Sequence, residues 1–229
     1  MSAATRTVGD VTDSPTPDPA EYLRHQYLYV PWRDGVDTMP IGKALGLWVA
    51  SQHSARMTVV CPLKSNAEDH PELARKEIVS ERSGHVRDGG VVLAWCPTYK
   101  AMAKTYHLQK SVIVLTEWAT PRFTGWAKLH GAHNVLTGEV MDAGLSDAGE
   151  ELLRDIVEEG YNGWHDDIAH RMTTRHLEQL DAIGEYQRSV VLAYAREHRA
   201  GYGIDRFIRI LDTFDAARPS ARTDTDLTM

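Results

Sequence analysis

The stretch Val-Val-Leu-Ala-Trp-Cys-Pro, residues 91–97, gives the clearest indication of the fold. Its apolar residues form a continuous run instead of alternating with polar ones, and they include β-branched and aromatic side chains. Such runs are typical of strands covered on both faces, which in practice means a parallel sheet between helices. The final proline agrees with this interpretation, because proline cannot donate to a β-ladder and marks strand ends.

The same unit, a short apolar run followed by a helix-compatible stretch, recurs on both sides of this run. Four further runs occur at 27–30, 57–61, 111–117 and, more weakly, 134–136. The helix-compatible stretches cover residues 41–53, 71–82, 99–109 and 123–129. Strands that alternate with helices predict repeated βαβ units. The sequence therefore predicts a Rossmann-like three-layer α/β sandwich over residues 21–145, with a mainly parallel sheet of four or five strands.

Residues 146–218 have a helical pattern instead. Apolar residues such as Leu153 and Ile156 recur with a 3.6-residue period, and glycines separate the successive stripes. This pattern predicts an α-helical module of about four short helices. We expect these helices to pack against the sheet region, with Tyr161 or Trp164 at the contact.

Composition and charge exclude several classes of protein. The chain has 229 residues, of which 42% are hydrophobic, and no apolar run approaches the roughly 20 residues that span a bilayer. Residues 146–229 carry 10 basic and 17 acidic side chains, which argues against a nucleic-acid partner because such partners require a basic field. The segments 1–20 and 219–229 are rich in Ser, Thr, Pro and Asp, and both are predicted to be disordered tails.

The candidate functional residues follow the predicted strands. In open α/β sheets ligands bind at the carboxyl ends of the strands. Cations there are expected to neutralise phosphate, and indole rings are expected to stack on a base. The ligand-binding candidates are Trp32, Arg33, Lys43, Lys64, Thr98, Lys100 and Trp118. Glu117 and Asp34 are the catalytic candidates, because burial of a carboxyl group at a strand end raises its pKa toward the range of a general acid or base.

One of these candidates belongs to an incomplete phosphate-binding motif. Gly35 and Gly42-Lys43 resemble the glycine-rich part of a P-loop, with two residues too many between the glycines. Ala44 also replaces the Ser or Thr that would bind magnesium. Two interpretations stay open: Gly42 and Lys43 open a helix that binds phosphate, or they form an ordinary loop-to-helix junction with a solvated lysine.

The histidines and cysteines give weaker signals. The closest histidine pairs, His130 with His133 and His165 with His170, lack a third or fourth converging ligand, so no metal site is predicted. The only two cysteines each precede a proline, and they are interpreted as small buried hydrophobes. A chain with so few cysteines and no secretory leader is expected in the cytoplasm.

The sequence identifies neither a reaction nor a cofactor, and it leaves open whether the protein is an enzyme. The leading hypothesis is that the strand ends bind or process a nucleotide or another phosphorylated small molecule. The alternative, from a different class, is a non-catalytic interaction or regulatory module that uses the helical region to bind a protein partner. The observation that separates them is whether the strand ends form a concave pocket in which Glu117 and Arg33 converge.

Overall fold

Six parallel strands form one sheet in the computed structural model, which describes residues 19–199, 201 and 203–218. The strands are β1 (Tyr27–Val30), β2 (Met57–Cys61), β3 (Glu77–Ser80), β4 (Val91–Trp95), β5 (Val112–Thr116) and β6 (His133–Asn134). Across the sheet they follow the order β3-β2-β4-β5-β1-β6, and every neighbouring pair is parallel. The Rossmann-like α/β class is thereby confirmed, with six strands instead of four or five.

Helices cover both faces of this sheet and continue beyond it. They are α1 (Pro19–Tyr22), α2 (Thr38–Gln52), α3 (Lys64–Glu68), α4 (Pro71–Ala74), α5 (Tyr99–Met102), α6 (Thr124–Leu129), α7 (Asp147–Glu159), α8 (Asp167–Ala182), α9 (Arg188–His198) and α10 (Ile204–Ala217). The predicted tail over 1–20 overlaps α1 at its last two residues, and its remainder and the tail over 219–229 lie outside the described residues. Among the described residues, no helix combines the length and apolarity needed to cross a bilayer.

The strand β3 corrects the prediction of a helix over 71–82. Helix α4 stops at Ala74, and the chain then pairs with β2 at the edge of the sheet. Ile78 and Val79 explain this, because they are β-branched and pack into the hydrophobic clusters on opposite faces of the sheet. In a helix these two neighbours would lie only about 100° apart around the axis and could not point to opposite faces.

The predicted helix over 99–109 is also too long. Helix α5 ends at Met102, and the Thr105 hydroxyl donates a hydrogen bond to the Met102 carbonyl at 2.8 Å. A side-chain donor that takes a backbone carbonyl in this way competes with continuation of the helix. Turns therefore connect α5 to β5.

Neighbouring strands send the chain to opposite faces of the sheet at two places. After β1 and β2 the chain enters α2 and α3, which pack on the face that includes Leu28 and Val59. After β5 and β4 it enters α6 and α5, which pack on the face that includes Tyr29 and Val60. Ligand-binding crevices form where the connections after two adjacent strands leave toward opposite faces of the sheet. The topology therefore creates a β1/β5 crevice and a β2/β4 crevice at the carboxyl edge.

Helices α7 to α10 form a third hydrophobic cluster, and α9 packs against α6 of the sheet region. The approach is close at Gly125, where an added Cβ would overlap the backbone carbonyl of Ser189. The prediction that Tyr161 or Trp164 makes this contact is wrong. Trp164 stacks on Phe207 inside the helical cluster, and Tyr161 is 74% exposed.

Candidate functional site

A pocket of about 250 Å³ lies at the carboxyl edge of the sheet, over the β2/β4 crevice. Three segments contribute to its wall: Asn66 follows β2, residues 96–98 follow β4, and the loop after β5 adds Trp118 and Arg122. We call it the carboxyl-edge pocket. Its location matches the place where the parallel topology predicts a ligand.

The backbone around this pocket is strained at two residues. Cys96 has a φ of 49° and Ala119 a φ of 71°, so both adopt the left-handed conformation without being glycine. Such residues cost about 1–3 kcal/mol each and cluster at ligand-binding and active sites. The strain therefore marks the carboxyl-edge pocket independently of the topology.

Glu117 is buried, with 2% of its surface exposed, and its carboxylate accepts four hydrogen bonds. Oε2 accepts from the Tyr29 hydroxyl at 2.6 Å and from the Trp32 amide at 3.1 Å. Oε1 accepts from the amides of Arg122 and Phe123, at 2.5 and 2.6 Å. A carboxylate has about four acceptor positions, so these donors occupy its capacity.

The effect of Glu117 is to close the β1/β5 crevice and to hold the loop after β5. It connects Tyr29 and Trp32 on the β1 side with the Arg122 amide on the β5 side. Burial, together with the negative charge of Glu117, raises the pKa of Tyr29, so the tyrosine stays protonated as the donor. This arrangement favours a positioning role for Glu117 over the catalytic role that the sequence suggests.

Two other sequence candidates line the carboxyl-edge pocket together with Glu117. Trp118 is 64% exposed and presents its indole ring at the rim. The Thr98 hydroxyl accepts a hydrogen bond from the Ala101 amide at 3.2 Å and donates to the Glu81 carboxylate. Thr98 is therefore committed to the start of α5, whereas the ring of Trp118 is available to a ligand.

The remaining candidates lie away from this pocket. Arg33 and Asp34 are exposed on the loop after β1, Lys64 is exposed at the start of α3, and Trp32 contributes its amide to Glu117. Lys100 is exposed and lines a neighbouring cavity of about 560 Å³. The sequence therefore predicts the edge of the sheet at which the pocket forms, but these side chains do not line the pocket.

Lys43 and Gly42 correct the helix-entry interpretation of the incomplete P-loop. Helix α2 begins at Thr38, so Gly42 and Lys43 lie in its second turn and do not open it. Gly42 is buried against Thr116, where a Cβ would overlap the threonine side chain, so a close approach of helix to sheet explains the glycine. The Lys43 ammonium instead pairs with Glu72 at 3.4 Å.

Arg122 is a candidate site residue that the sequence pattern does not indicate. Its amide is held by Glu117, its carbonyl accepts from the Tyr99 hydroxyl at 3.1 Å, and its Nε donates to the Thr120 hydroxyl at 2.9 Å. In the described part of the chain, the guanidinium has no carboxylate partner. Arg122 lies on the irregular loop between β5 and α6, where neither strand nor helix periodicity indicates a site residue. Arg122 is the cation that the pocket presents.

The two thiols near the pocket are neutral at physiological pH. Burial raises the pKa of Cys96 to about 12, with smaller contributions from Cys61, Glu117 and Asp37. Burial also raises the pKa of Cys61 to about 11. Because the thiolate is the nucleophilic form, neither residue is prepared for attack on a substrate. Their structural interpretation as small buried groups fits this environment.

No family model, no curated protein and no solved structure matches the chain in comparisons with known proteins. Within residues 19–199, 201 and 203–218, no cluster of three or more His, Cys, Asp or Glu side chains has the geometry to hold a metal ion. The carboxyl-edge pocket presents the Arg122 guanidinium and the exposed ring of Trp118, beside strained backbone at Cys96 and Ala119.

Proposed function

We propose that the protein binds a nucleotide or another phosphorylated small molecule at the carboxyl-edge pocket. In this proposal the Arg122 guanidinium contacts the phosphate, and the exposed ring of Trp118 stacks on the base or another planar group. The single observation that carries the proposal is Arg122, in a pocket over the β2/β4 crevice: two hydrogen bonds hold its backbone, one holds its guanidinium, and no carboxylate among the described residues pairs with it. Charge-assisted hydrogen bonds to phosphate are among the strongest that a side chain makes.

The size of the pocket supports a ligand that extends beyond it. Its volume of about 250 Å³ lies just below the roughly 300–1,000 Å³ of sites for drug-sized molecules. Arg122 and Phe123 also line a larger cavity of about 520 Å³. A nucleotide in the carboxyl-edge pocket would therefore have space to continue past Arg122.

The proposal concerns binding and not a reaction. Glu117 uses its oxygens for structural hydrogen bonds, and Asp34 lies outside the pocket. The neutral thiol of Cys96 is a poor nucleophile. Among the described residues, the pocket thus presents a cation and an aromatic ring, which are groups that bind.

The alternative, an interaction module that uses the helical region, has one observation in its favour. Tyr161 in the turn before α8, Ile168 in its first turn and Ile183 at its C-terminal end are large apolar side chains that are exposed. Exposed apolar patches mark surfaces that contact other proteins when they are contiguous. Arg33 is exposed outside the carboxyl-edge pocket, so the expected convergence of Glu117 and Arg33 does not occur. A concave pocket does form at the strand ends, and binding of a nucleotide is the better supported of the two because this pocket combines topology, strain and the charge of Arg122.

A cytoplasmic location is part of the same proposal. Cys61 and Cys96 carry free thiols, and they lie at the ends of the paired strands β2 and β4. Proteins of reducing compartments keep such cysteines free, whereas oxidising compartments favour disulfides. The free thiols support the proposed location.

Thermal unfolding with added nucleotides tests the proposal. A ligand at about 100 times its Kd stabilises a protein by roughly 2.7 kcal/mol, which raises the Tm of a chain of this size by about 5–10 °C. We expect ATP, ADP, AMP or their guanine counterparts to produce such a rise. The variants Arg122→Ala and Trp118→Ala should abolish it, whereas Lys64→Ala, which removes an exposed cation at the same edge, should retain it.

Two outcomes would contradict the proposal. The first is that no nucleotide at millimolar concentration changes the Tm of the natural sequence. The second is that Arg122→Ala and Lys64→Ala show the same nucleotide-dependent rise, which would place the ligand elsewhere. The Tm of each variant without ligand shows whether the substitution itself alters the fold.

A further inference from the structure

A second cavity, of about 520 Å³, lies between the sheet region and the helical region, and we call it the inter-region cleft. The sheet side contributes the loop before α6 and α6 itself, including Arg122 and Lys128. The helical side contributes α9 and α10, including Arg188, Arg196 and Arg218. Five cations in one cleft are notable because residues 146–229 carry more acidic than basic side chains.

Two of the five cations are neutralised by carboxylates. Arg188 pairs with Asp212 at 2.6 Å and with Asp215 at 2.5 Å. Arg218 pairs with Asp181 at 2.6 Å. These arginines therefore stabilise the packing of the helices and contribute little net charge to the cleft.

The other three cations have neutral partners. The Arg196 guanidinium lies over the ring of Tyr99, 3.3 Å from its centroid, and the Lys128 ammonium donates to the Gln187 side-chain oxygen at 2.8 Å. Arg122 donates to the Thr120 hydroxyl. Over the described ranges of the chain, none of the three forms an ion pair with a carboxylate. Their charges are positioned without being cancelled.

Tyr99 contacts the guanidinium of Arg196 and the backbone of Arg122. Its ring supports Arg196, and its hydroxyl donates to the carbonyl of Arg122. Cations that are already held in place lose less conformational entropy when a ligand arrives. A cleft with three such cations and adjacent aromatic rings is complementary to an anion with several oxygen atoms.

We infer that the inter-region cleft binds a phosphate group, through Arg122, Lys128 and Arg196. The group that the cleft would recognise is a phosphate with its several charged oxygen atoms. It could belong either to an inorganic phosphate or to a phosphorylated small molecule. Two of the three cations, Lys128 and Arg196, line the cleft and not the carboxyl-edge pocket. The inference therefore does not require the base-stacking part of the proposed function.

Isothermal titration of the full chain with inorganic pyrophosphate, at constant ionic strength, tests this site. Loss of one charge-assisted contact is expected to weaken binding roughly tenfold or more. Lys128→Ala and Arg196→Ala should each show this loss. Arg171→Ala is the matched control, because it removes an exposed cation on α8 and should leave the affinity unchanged.

Parallel titrations with ribose 5-phosphate and with inorganic phosphate identify the source of the phosphate. A higher affinity for ribose 5-phosphate than for inorganic phosphate indicates an organic ligand, and the opposite order indicates a free anion. Trp118→Ala should leave pyrophosphate binding intact, because Trp118 does not line the cleft. A loss of nucleotide binding with retained pyrophosphate binding in that variant would separate the two sites.

The inference is overturned if pyrophosphate does not bind, or if Lys128→Ala and Arg171→Ala bind it equally well. Arg196→Ala also removes a stacking contact with Tyr99 and can loosen the packing of α9. Arg196→Lys keeps the charge, and Lys128→Ala does not touch that contact. If the two Arg196 variants are unfolded by circular dichroism, the result for Lys128→Ala decides the question.

Discussion

The β1/β5 crevice and the β2/β4 crevice arise from the same topology, yet one is filled and the other is open. Glu117 fills the first, where its carboxylate joins Tyr29 and Trp32 to the loop after β5. The second forms the floor of the carboxyl-edge pocket, with Cys96 in a strained conformation at its side. Topology thus selects the edge of the sheet where crevices form, while the hydrogen bonds of a single buried side chain decide which crevice remains open.

The largest effect is expected when the filled crevice is emptied. Glu117→Ala removes the acceptor of four donors, of which the Tyr29 hydroxyl and the Phe123 amide are buried. Each buried donor left without an acceptor costs about 1–3 kcal/mol, so we expect a loss of about 3 kcal/mol or more in the free energy of unfolding. Urea unfolding monitored by circular dichroism measures this loss.

Asp34→Ala is the control for that experiment, because Asp34 is the other acidic candidate and is exposed. Exposed substitutions of this kind usually change stability by less than about 0.5 kcal/mol. If Glu117→Ala were as stable as Asp34→Ala, the carboxylate would be dispensable for the fold. Its role would then have to be chemical, and the comparison between the two crevices would fail.

The sequence predicts the sheet well where burial is two-sided and poorly where it is not. The run at 91–95 has apolar residues throughout, so its strand was found at the observed position. Strand β3 was missed because it lies at the edge of the sheet and begins with the exposed Glu77, and its two apolar residues, Ile78 and Val79, also suit a helix. An edge strand is identified by its neighbour, and the sequence does not show which segment that neighbour is.

The candidate site shows the same limit. Glu117 and Trp118 end an apolar strand, so their position at the carboxyl edge could be predicted. The position of Arg122 could not be predicted, because long-range hydrogen bonds fix the irregular loop that carries it. The Arg122 amide donates to Glu117, and the Tyr99 hydroxyl donates to the Arg122 carbonyl. The position of the Lys43 charge could not be predicted for a related reason, since a long-range ion pair with Glu72 determines where it lies.

A smaller loss is expected when the filled crevice loses one donor and keeps the others. Tyr29→Phe removes the hydroxyl that donates to Glu117 at 2.6 Å and preserves the ring that packs in the core. A hydrogen bond to a charged group contributes about 1.5–3 kcal/mol, and we expect a loss near the lower value because three donors remain on the carboxylate. The midpoint of urea unfolding checks it.

The matched control for this substitution is Tyr161→Phe, which removes a hydroxyl from a tyrosine that is 74% exposed. Its unfolding midpoint should equal that of the natural sequence. Equal midpoints for Tyr29→Phe and Tyr161→Phe would mean that Glu117 does not depend on β1. The filled crevice would then be held only by the amides of the loop after β5.

The smallest effect, and the only expected gain, concerns the strain at the open crevice. Ala119 has a φ of 71°, a conformation that costs a residue with a Cβ about 1–2 kcal/mol and costs glycine almost nothing. Glycine also makes the unfolded chain more flexible, which removes about 0.5–1 kcal/mol of that gain. Ala119→Gly should therefore raise the free energy of unfolding by up to about 1 kcal/mol.

The control is Ala44→Gly, at an exposed position inside α2, which should lower the free energy of unfolding by about 1 kcal/mol because glycine is a poor helix former. The two substitutions are chemically identical, so opposite signs in urea unfolding can come only from the backbone conformation. A loss at Ala119 as large as that at Ala44 would show that the loop is relaxed, and the open crevice would then differ from the filled one in its hydrogen bonds but not in its strain.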